Sequence, residues 1–374
     1  MQTPSTGSPE ASRSYDPAQS RRDLRLDFLR GLCLLKMVFN HLWHTPLHAV
    51  QQWLGYVTAA EAFFFISGAV VGIVHGRRAG AAGLGPTSRQ VLLRALQLYL
   101  ANLAFVFLFV SLEATGALGN GWFLELWSGG FHWPTLFDFD HPYFLSVLPR
   151  YVAFLALTPL ALWCLVTGRS AWLAAATVGA WGLNLAWGRA LKVPFFEEGS
   201  EFPIVAWQLL FFVGILLGFH RHRLSGWWRA HRGRSWSWAL AGGTLVFVLL
   251  RRGQDLGLLH LPSEAVHLLF GRDHLGPLRL LNLLVAFALL FELTDRFWSP
   301  LRSFAGGLLL PFGQSSLYVF LMHIPVVWGS KEALSRLGVA PDSGLWWLAA
   351  ADLLLIALLW WMVRRRILFA WVPR

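Results

Sequence analysis

The stretch Arg22–Pro46 reads RDLRLDFLRGLCLLKMVFNHLWHTP, and it has the length of a membrane helix but carries charge where lipid forbids it. Apolar residues fill most positions from Leu26 to Trp43, enough to cross a bilayer with few residues to spare. Yet the run holds Asp27, Arg30, Lys36, Asn40 and His41. The step from Arg30 to His41 is three helical turns, which returns to within about 20° of the starting face and rises roughly 16 Å. Both side chains therefore share one face. Ionisable groups at that depth are costly, and where they occur they mark a pathway or an active site.

Working outward, the 374 residues are 56% hydrophobic and only 14% charged. That balance belongs to a polytopic membrane protein and excludes an ordinary soluble domain. The net charge of +11 does not point to nucleic acid, because the basic residues fall in short runs between apolar stretches, as membrane topology requires. Cys33 and Cys164 lie in predicted spans and read as small hydrophobes without a disulfide framework. Residues 1–20 are rich in Ser, Thr, Pro and Ala without periodicity. They read as a disordered cytoplasmic tail rather than a signal peptide, leaving 21–374 as one membrane domain.

Further spans are expected at Leu54–His75, Val91–Leu112, Tyr143–Val166, Ala171–Leu191, Pro203–Phe219, Trp236–Leu250, Pro277–Leu293, Leu308–Trp328 and Leu345–Val363. The chain is thus expected to be an all-α helix bundle of about ten transmembrane helices with both termini cytoplasmic. Trp236–Leu250 is short, but removing it would place Arg364, Arg365 and Arg366 outside, against the positive-inside bias. The longest outer loop, Glu113–Pro142, mixes carboxylates with Trp122, Trp127 and Trp133; this reads as an aromatic belt or as a sugar platform. The basic stretch FHRHRLSGWWRAHRGR, from Phe219 to Arg234, reads first as a surface for anionic lipid.

Several side chains are candidates for chemistry. Arg30 either snorkels or lines the polar face, and His41 is either a bonded interhelical histidine or a catalytic one. Glu61 is the one carboxylate of the second span. Counted from a turn near Val50, it reaches a depth comparable to that of His41, so a direct contact that fixes the imidazole tautomer is expected. Arg94 begins the third span beside the inner face and either binds an anionic donor or only satisfies topology, and Arg150 lies just inside the outer surface on the fourth span, within reach of an acidic group or an outer substrate. Trp207 and Gln208 offer an aromatic face and an amide. His323 offers a second histidine in the outer half of the membrane. Ser67 and Gly68 read as small residues that let helices approach. No GxSxG, Walker A, CxxC or HExxH pattern occurs, which removes serine-hydrolase, nucleotide-motor and zinc-enzyme readings.

RDLRLDFLRGLCLLKMVFNH and TAAEAFFFISG, with RALQLYLANL, LSVLPRYVAFLALTPL, AWQLLFFVG and FGQSSLYVFLMH, resemble in order the OpgC family of osmoregulated periplasmic glucan succinyltransferases. That family is placed in the acyltransferase-3 group, whose hallmark is a basic residue, ten intervening residues and a histidine; Arg30 and His41 fit that spacing. Asn40 and Thr58 stand where members often carry Asp. The resemblance implies a bacterial inner-membrane enzyme that transfers an acyl group, typically succinyl, to a hydroxyl of a periplasmic glucan. The co-substrate is then a cytoplasmic acyl-CoA, succinyl-CoA or acetyl-CoA, with no tightly bound cofactor and no metal. On this reading His41 and Glu61 are catalytic, His41 as base or acyl carrier and Glu61 as its orienting acid. Arg30, Asn40, Arg94, Arg150, Trp207, Gln208 and His323 contact substrates. A proton-coupled transporter of an anion or glycan is the competing reading, since buried Arg, Glu and His along a bundle axis suit both.

Overall fold

A computed structural model describes residues 22–42, 53–117, 147–187, 202–231, 233–338, 345–370 and 372. The tail over 1–20, His44 and most of the Glu113–Pro142 loop lie outside the described residues. Those described are helical with no strand: α1 Leu24–His41, α2 Ala59–Ala82, α3 Leu84–Ala114, α4 Val147–Val166, α5 Ser170–Trp187, α6 Ile204–Phe219, α7 Arg221–His231, α8 Arg234–Asp255, α9 Ser263–Phe270, α10 Pro277–Arg296, α11 Trp298–Gln314, α12 Ser316–Arg336 and α13 Leu345–Arg365.

The outer helices expose large apolar side chains and bury polar ones. The two buried residues of α5 are Thr177 and Asn184, whereas Trp172 on the same helix is 74% exposed. Thr87, Asn102 and Glu113 are buried on α3 while Leu92, Leu96, Leu100 and Phe107 face outward. An exterior of Leu and Trp around a polar seam is stable only with lipid as solvent. By length and composition five described helices can cross a membrane, and up to seven if each of two bent pairs counts as one span. The expected ten is thus not reached among the described residues. A helix does form over the doubtful Trp236–Leu250 stretch, as α8.

Small residues set how close the helices come. A Cβ on Gly68 would sit 2.0 Å from the Phe211 carbonyl oxygen and one on Gly72 2.2 Å from that of Ile215. Reciprocally, Gly214 faces the Phe65 carbonyl and Gly218 that of Ala69, at 2.3 and 2.1 Å. SGAVVG on α2 and VGILLG on α6 therefore interlock backbone to backbone, running parallel, with the four-residue spacing that favours helix pairing in lipid. The expected role of Gly68 holds. The second close pair joins α1 to α11, with Gly31 against Leu309 and Gly313 against Asp27.

Polar groups fasten the ends. Asp23 caps α1 by accepting the Arg25 amide at 3.2 Å, and Arg25 reaches Asp295 at 2.5 Å, joining the start of α1 to the end of α10. The entry to α2 is a capping box: the Thr58 amide donates to Glu61 Oε2 at 2.9 Å. Asn282 of α10 straps the preceding segment, accepting from the Tyr56 amide and donating to the Leu54 carbonyl, both at 2.8 Å.

One expected span is corrected. The apolar run Leu308–Trp328 is not a single helix; α11 and α12 meet at Ser315 with a bend of 94°. Pro311 lies inside the last turn of α11, and close packing of Gly313 on Asp27 holds α11 against α1. A periodicity argument misses such a break because the residues on both sides remain apolar. A second bend, of 79°, separates α6 from α7, which turns the basic RHRLSGWWRAH away from the bundle axis.

Candidate functional site

The break at Ser315 delivers the start of α12 to Arg30. Arg30 is buried and its guanidinium donates to Ser316 Oγ. Further along, the rings of His41 and His323 lie 5.2 Å apart, tilted by 42°. These two contacts bring α12 against the polar face of α1 at two points. The polar face that Arg30 and His41 share on α1 thus meets Ser316 and His323 of a second helix.

His323 is 1% exposed, and its Nδ1–H donates to the Phe320 carbonyl at 2.6 Å. That bond fixes the tautomer and leaves Nε2 an acceptor. Nε2 is buried and has no protein partner among the described residues. Arg30 Nε, Asn40 Oδ1, Ser67 Oγ, Asn102 Oδ1 and Tyr318 Oη are in the same condition. Buried polar atoms are almost always bonded. These six lie on α1, α2, α3 and α12. Arg94 and Tyr151 add to the group: Arg94 is within electrostatic reach of both Arg30 and Tyr151, and Tyr151 is buried against Phe63, Phe64 and Phe211.

At the basic end, a cavity of about 580 Å³ opens between α1, α11 and the end of α13. Its lining includes Arg22, Gln314, Ser315, Arg364, Arg366 and Phe369. Arg366 and Leu368 take positive φ, at 55° and 58°, and the chain folds back so that Phe369 packs on Tyr318 at 4.5 Å. Ser315 lines this cavity while its neighbour Ser316 holds Arg30. The basic cavity and the polar face are therefore contiguous along the chain.

Other expected site residues are placed elsewhere. Glu61 does not meet His41. Its Oε1 receives Arg279 Nη2 at 2.5 Å and Nε at 2.7 Å, and its Oε2 receives Thr58. Arg279 stands 218 residues away in sequence, and no local pattern pairs it with Glu61. Trp207 is completely buried, edge-on to Phe64 and Phe202, with its indole N–H donating to the Arg272 carbonyl at 3.3 Å. Gln208 donates to the Thr177 carbonyl at 2.8 Å and accepts from the Thr177 hydroxyl. Both serve helix packing. Arg150, fully buried, donates through Nε to the Phe202 carbonyl and so anchors the entry to α6. Ser316, Tyr318, Asn102 and Tyr151 escaped the sequence reading, since an isolated hydroxyl or amide in an apolar run carries no motif.

Comparison with known families finds one match, a family described as OpgC protein, over residues 22–127 and 131–371. No curated protein and no solved structure matches the chain.

Proposed function

The chain belongs to the OpgC protein family, and on that premise we propose that it is a membrane-embedded O-acyltransferase that moves an acyl group from a cytoplasmic acyl-CoA to a hydroxyl of a periplasmic glucan. Succinyl is the acyl group the family resemblance favours. The observation that carries the reading is the pairing of Arg30 with Ser316 and of His41 with His323 between α1 and α12. It gives one seam an anion-binding end and a proton-accepting end.

The proposed orientation puts the Arg22 and Arg364–Arg366 end in the cytoplasm of a bacterial inner-membrane protein, with ten spans and both termini inside. The arginines of the basic cavity would then seat the phosphates of the donor. Arg30 and Arg94 are both cationic, and an anionic donor would offset their charge. At the other end an imidazole Nε2 takes the proton of the sugar hydroxyl as its oxygen attacks the thioester carbonyl. The C–S bond breaks, and the leaving thiolate is protonated. His323 already has the tautomer this step needs; His41 either performs it or carries the acyl group in transit. Glu61 is a positioning residue, acting through Arg279 rather than on His41.

The experiment gives the purified protein in nanodiscs labelled acyl-CoA and glucan. Label should reach the sugar, and His41→Ala should abolish transfer while circular dichroism and thermal melting are unchanged. Transfer at the normal rate in that variant would remove His41 from the mechanism. The bent α11–α12 pair also resembles the broken helices of transporters. Solute uptake into proteoliposomes without any acyl donor would favour that alternative.

A further inference from the structure

Beside the Glu61–Arg279 pair, the segment from His267 to Gly276 closes on itself. The Gly271 amide donates to the His267 carbonyl at 2.7 Å and the Gly276 amide to the Gly271 carbonyl at 3.0 Å. Leu275 is fully buried and takes φ 52°. A Cβ on Gly271 would lie 2.2 Å from His274 Cε1, so glycine is what lets this imidazole fold back over the turn. The outward-facing carbonyls are held by distant helices: Trp181 donates to the His274 and Leu275 carbonyls at 3.2 and 3.0 Å, and Arg279 Nη1 to the Phe270 carbonyl at 3.1 Å. Trp207 holds the Arg272 carbonyl. These bonds tie the turn to α5, α6 and α10.

On this frame three side chains converge. His274 Nε2–H donates to the Leu268 carbonyl at 3.0 Å, so in the neutral ring the lone pair sits on Nδ1. Nδ1 faces Asp273 Oδ1 at 2.9 Å. The other carboxylate oxygen lies 3.2 Å from His267 Nε2, and the two imidazole rings are 4.8 Å apart. All three ligand atoms fall within 4.8 Å of one another. Two acceptors at 2.9 Å repel unless a cation lies between them. A proton can fill the role: the same hydrogen bond raises His274 and holds Asp273 below the usual carboxylate range.

A metal fits as well. Bonds of about 2.0–2.1 Å to tetrahedral zinc put neighbouring ligand atoms about 3.3 Å apart; the two rings meet opposite oxygens of Asp273 at 2.9 and 3.2 Å, so a small turn of the carboxylate would bring one oxygen and both nitrogens, now within 4.8 Å, around one ion. A backbone carbonyl on the far ring nitrogen is the usual second contact of a metal-ligating histidine. We propose that His267, Asp273 and His274 form a binding site for a borderline divalent cation of the zinc class, with a fourth position left to water. The mixed nitrogen and oxygen donor set disfavours calcium and magnesium. Such an ion would clip together the two ends of the loop whose carbonyls hold Trp207 and Arg279. The site does not depend on the acyltransfer reading. His267 is 64% exposed, so ions reach it directly.

The test titrates Co(II), then Zn(II), into full-length protein purified through a tag without histidine and stripped with chelator. Wild type should bind one Co(II) with the intense visible absorption of tetrahedral coordination, which Zn(II) displaces, and zinc should raise the melting temperature. His267→Ala, Asp273→Asn and His274→Ala should each weaken binding by roughly tenfold or more, while His41→Ala, carrying the other histidines, should leave it unchanged. His267→Ala alters an exposed side chain, so its folding is not in question. Failure of the wild type to bind, or equal binding in all four variants, overturns the proposal and leaves a proton-bridged pair.

Discussion

Replacing Arg279 with methionine would leave the Glu61 carboxylate buried with its two guanidinium bonds gone. Glu61 is 1% exposed and the Arg279 side chain 8%, and the bonds at 2.5 and 2.7 Å both fall on Oε1. The Thr58 contacts fall on Oε2, so they cannot compensate. Breaking one side of a buried ion pair costs about 3–5 kcal/mol, whereas replacing both partners with uncharged groups is often nearly neutral. Arg279→Met alone should therefore shift the folding equilibrium by roughly two to four orders of magnitude. The double variant Glu61→Gln with Arg279→Met should recover most of that loss. Unfolding in mixed micelles, followed by circular dichroism against detergent mole fraction, measures both. Glu332→Gln, which removes the exposed Arg336–Glu332 pair at 2.8 Å, serves as control and should cost about 0.2–1 kcal/mol. A loss in Arg279→Met no larger than in this control, or a double variant as unstable as the single one, would show that the pair does not hold α2 to α10.

Gly68→Ala and Gly80→Ala should change stability in opposite directions: alanine favours a helix by about 1 kcal/mol. Gly80 has open space around its Cβ, but at Gly68 overpacking against the Phe211 carbonyl should cost about 1–3 kcal/mol, as thermal melts will read. In the transfer assay His323→Gln should lower turnover by about 10²–10⁴-fold with little change in melting temperature, because glutamine can keep the bond to the Phe320 carbonyl; normal turnover would exclude His323 as a base. Arg364→Ser with Arg366→Ser should raise the KM for the acyl donor at nearly constant kcat, and weaken the dependence of KM on salt. An effect on kcat alone would separate the cavity from donor binding.

Much of the architecture was legible in the chain. Apolar runs of membrane length locate the helices, because lipid admits only segments that satisfy their own backbone hydrogen bonds. The spacing of Arg30 and His41 placed both on one face, because helical rotation is fixed by local geometry. Gly68 could be read as a packing residue from its neighbours alone.

What pairs with what could not be read in that way. Glu61 found Arg279 rather than His41, and Trp207 and Gln208 turned to core contacts, because partners across a bundle are chosen by helix rotation and tilt. The 94° break at Ser315 is the clearest case. Its two halves are equally apolar, so hydropathy sees one span, and only the packing of Gly313 and Gly31 on α1 and α11 reveals that the chain turns there. Sequence determined which segments are helical and apolar and which of them carry charge. Tertiary structure decided which charges meet, because that depends on distances between helices that no local periodicity encodes.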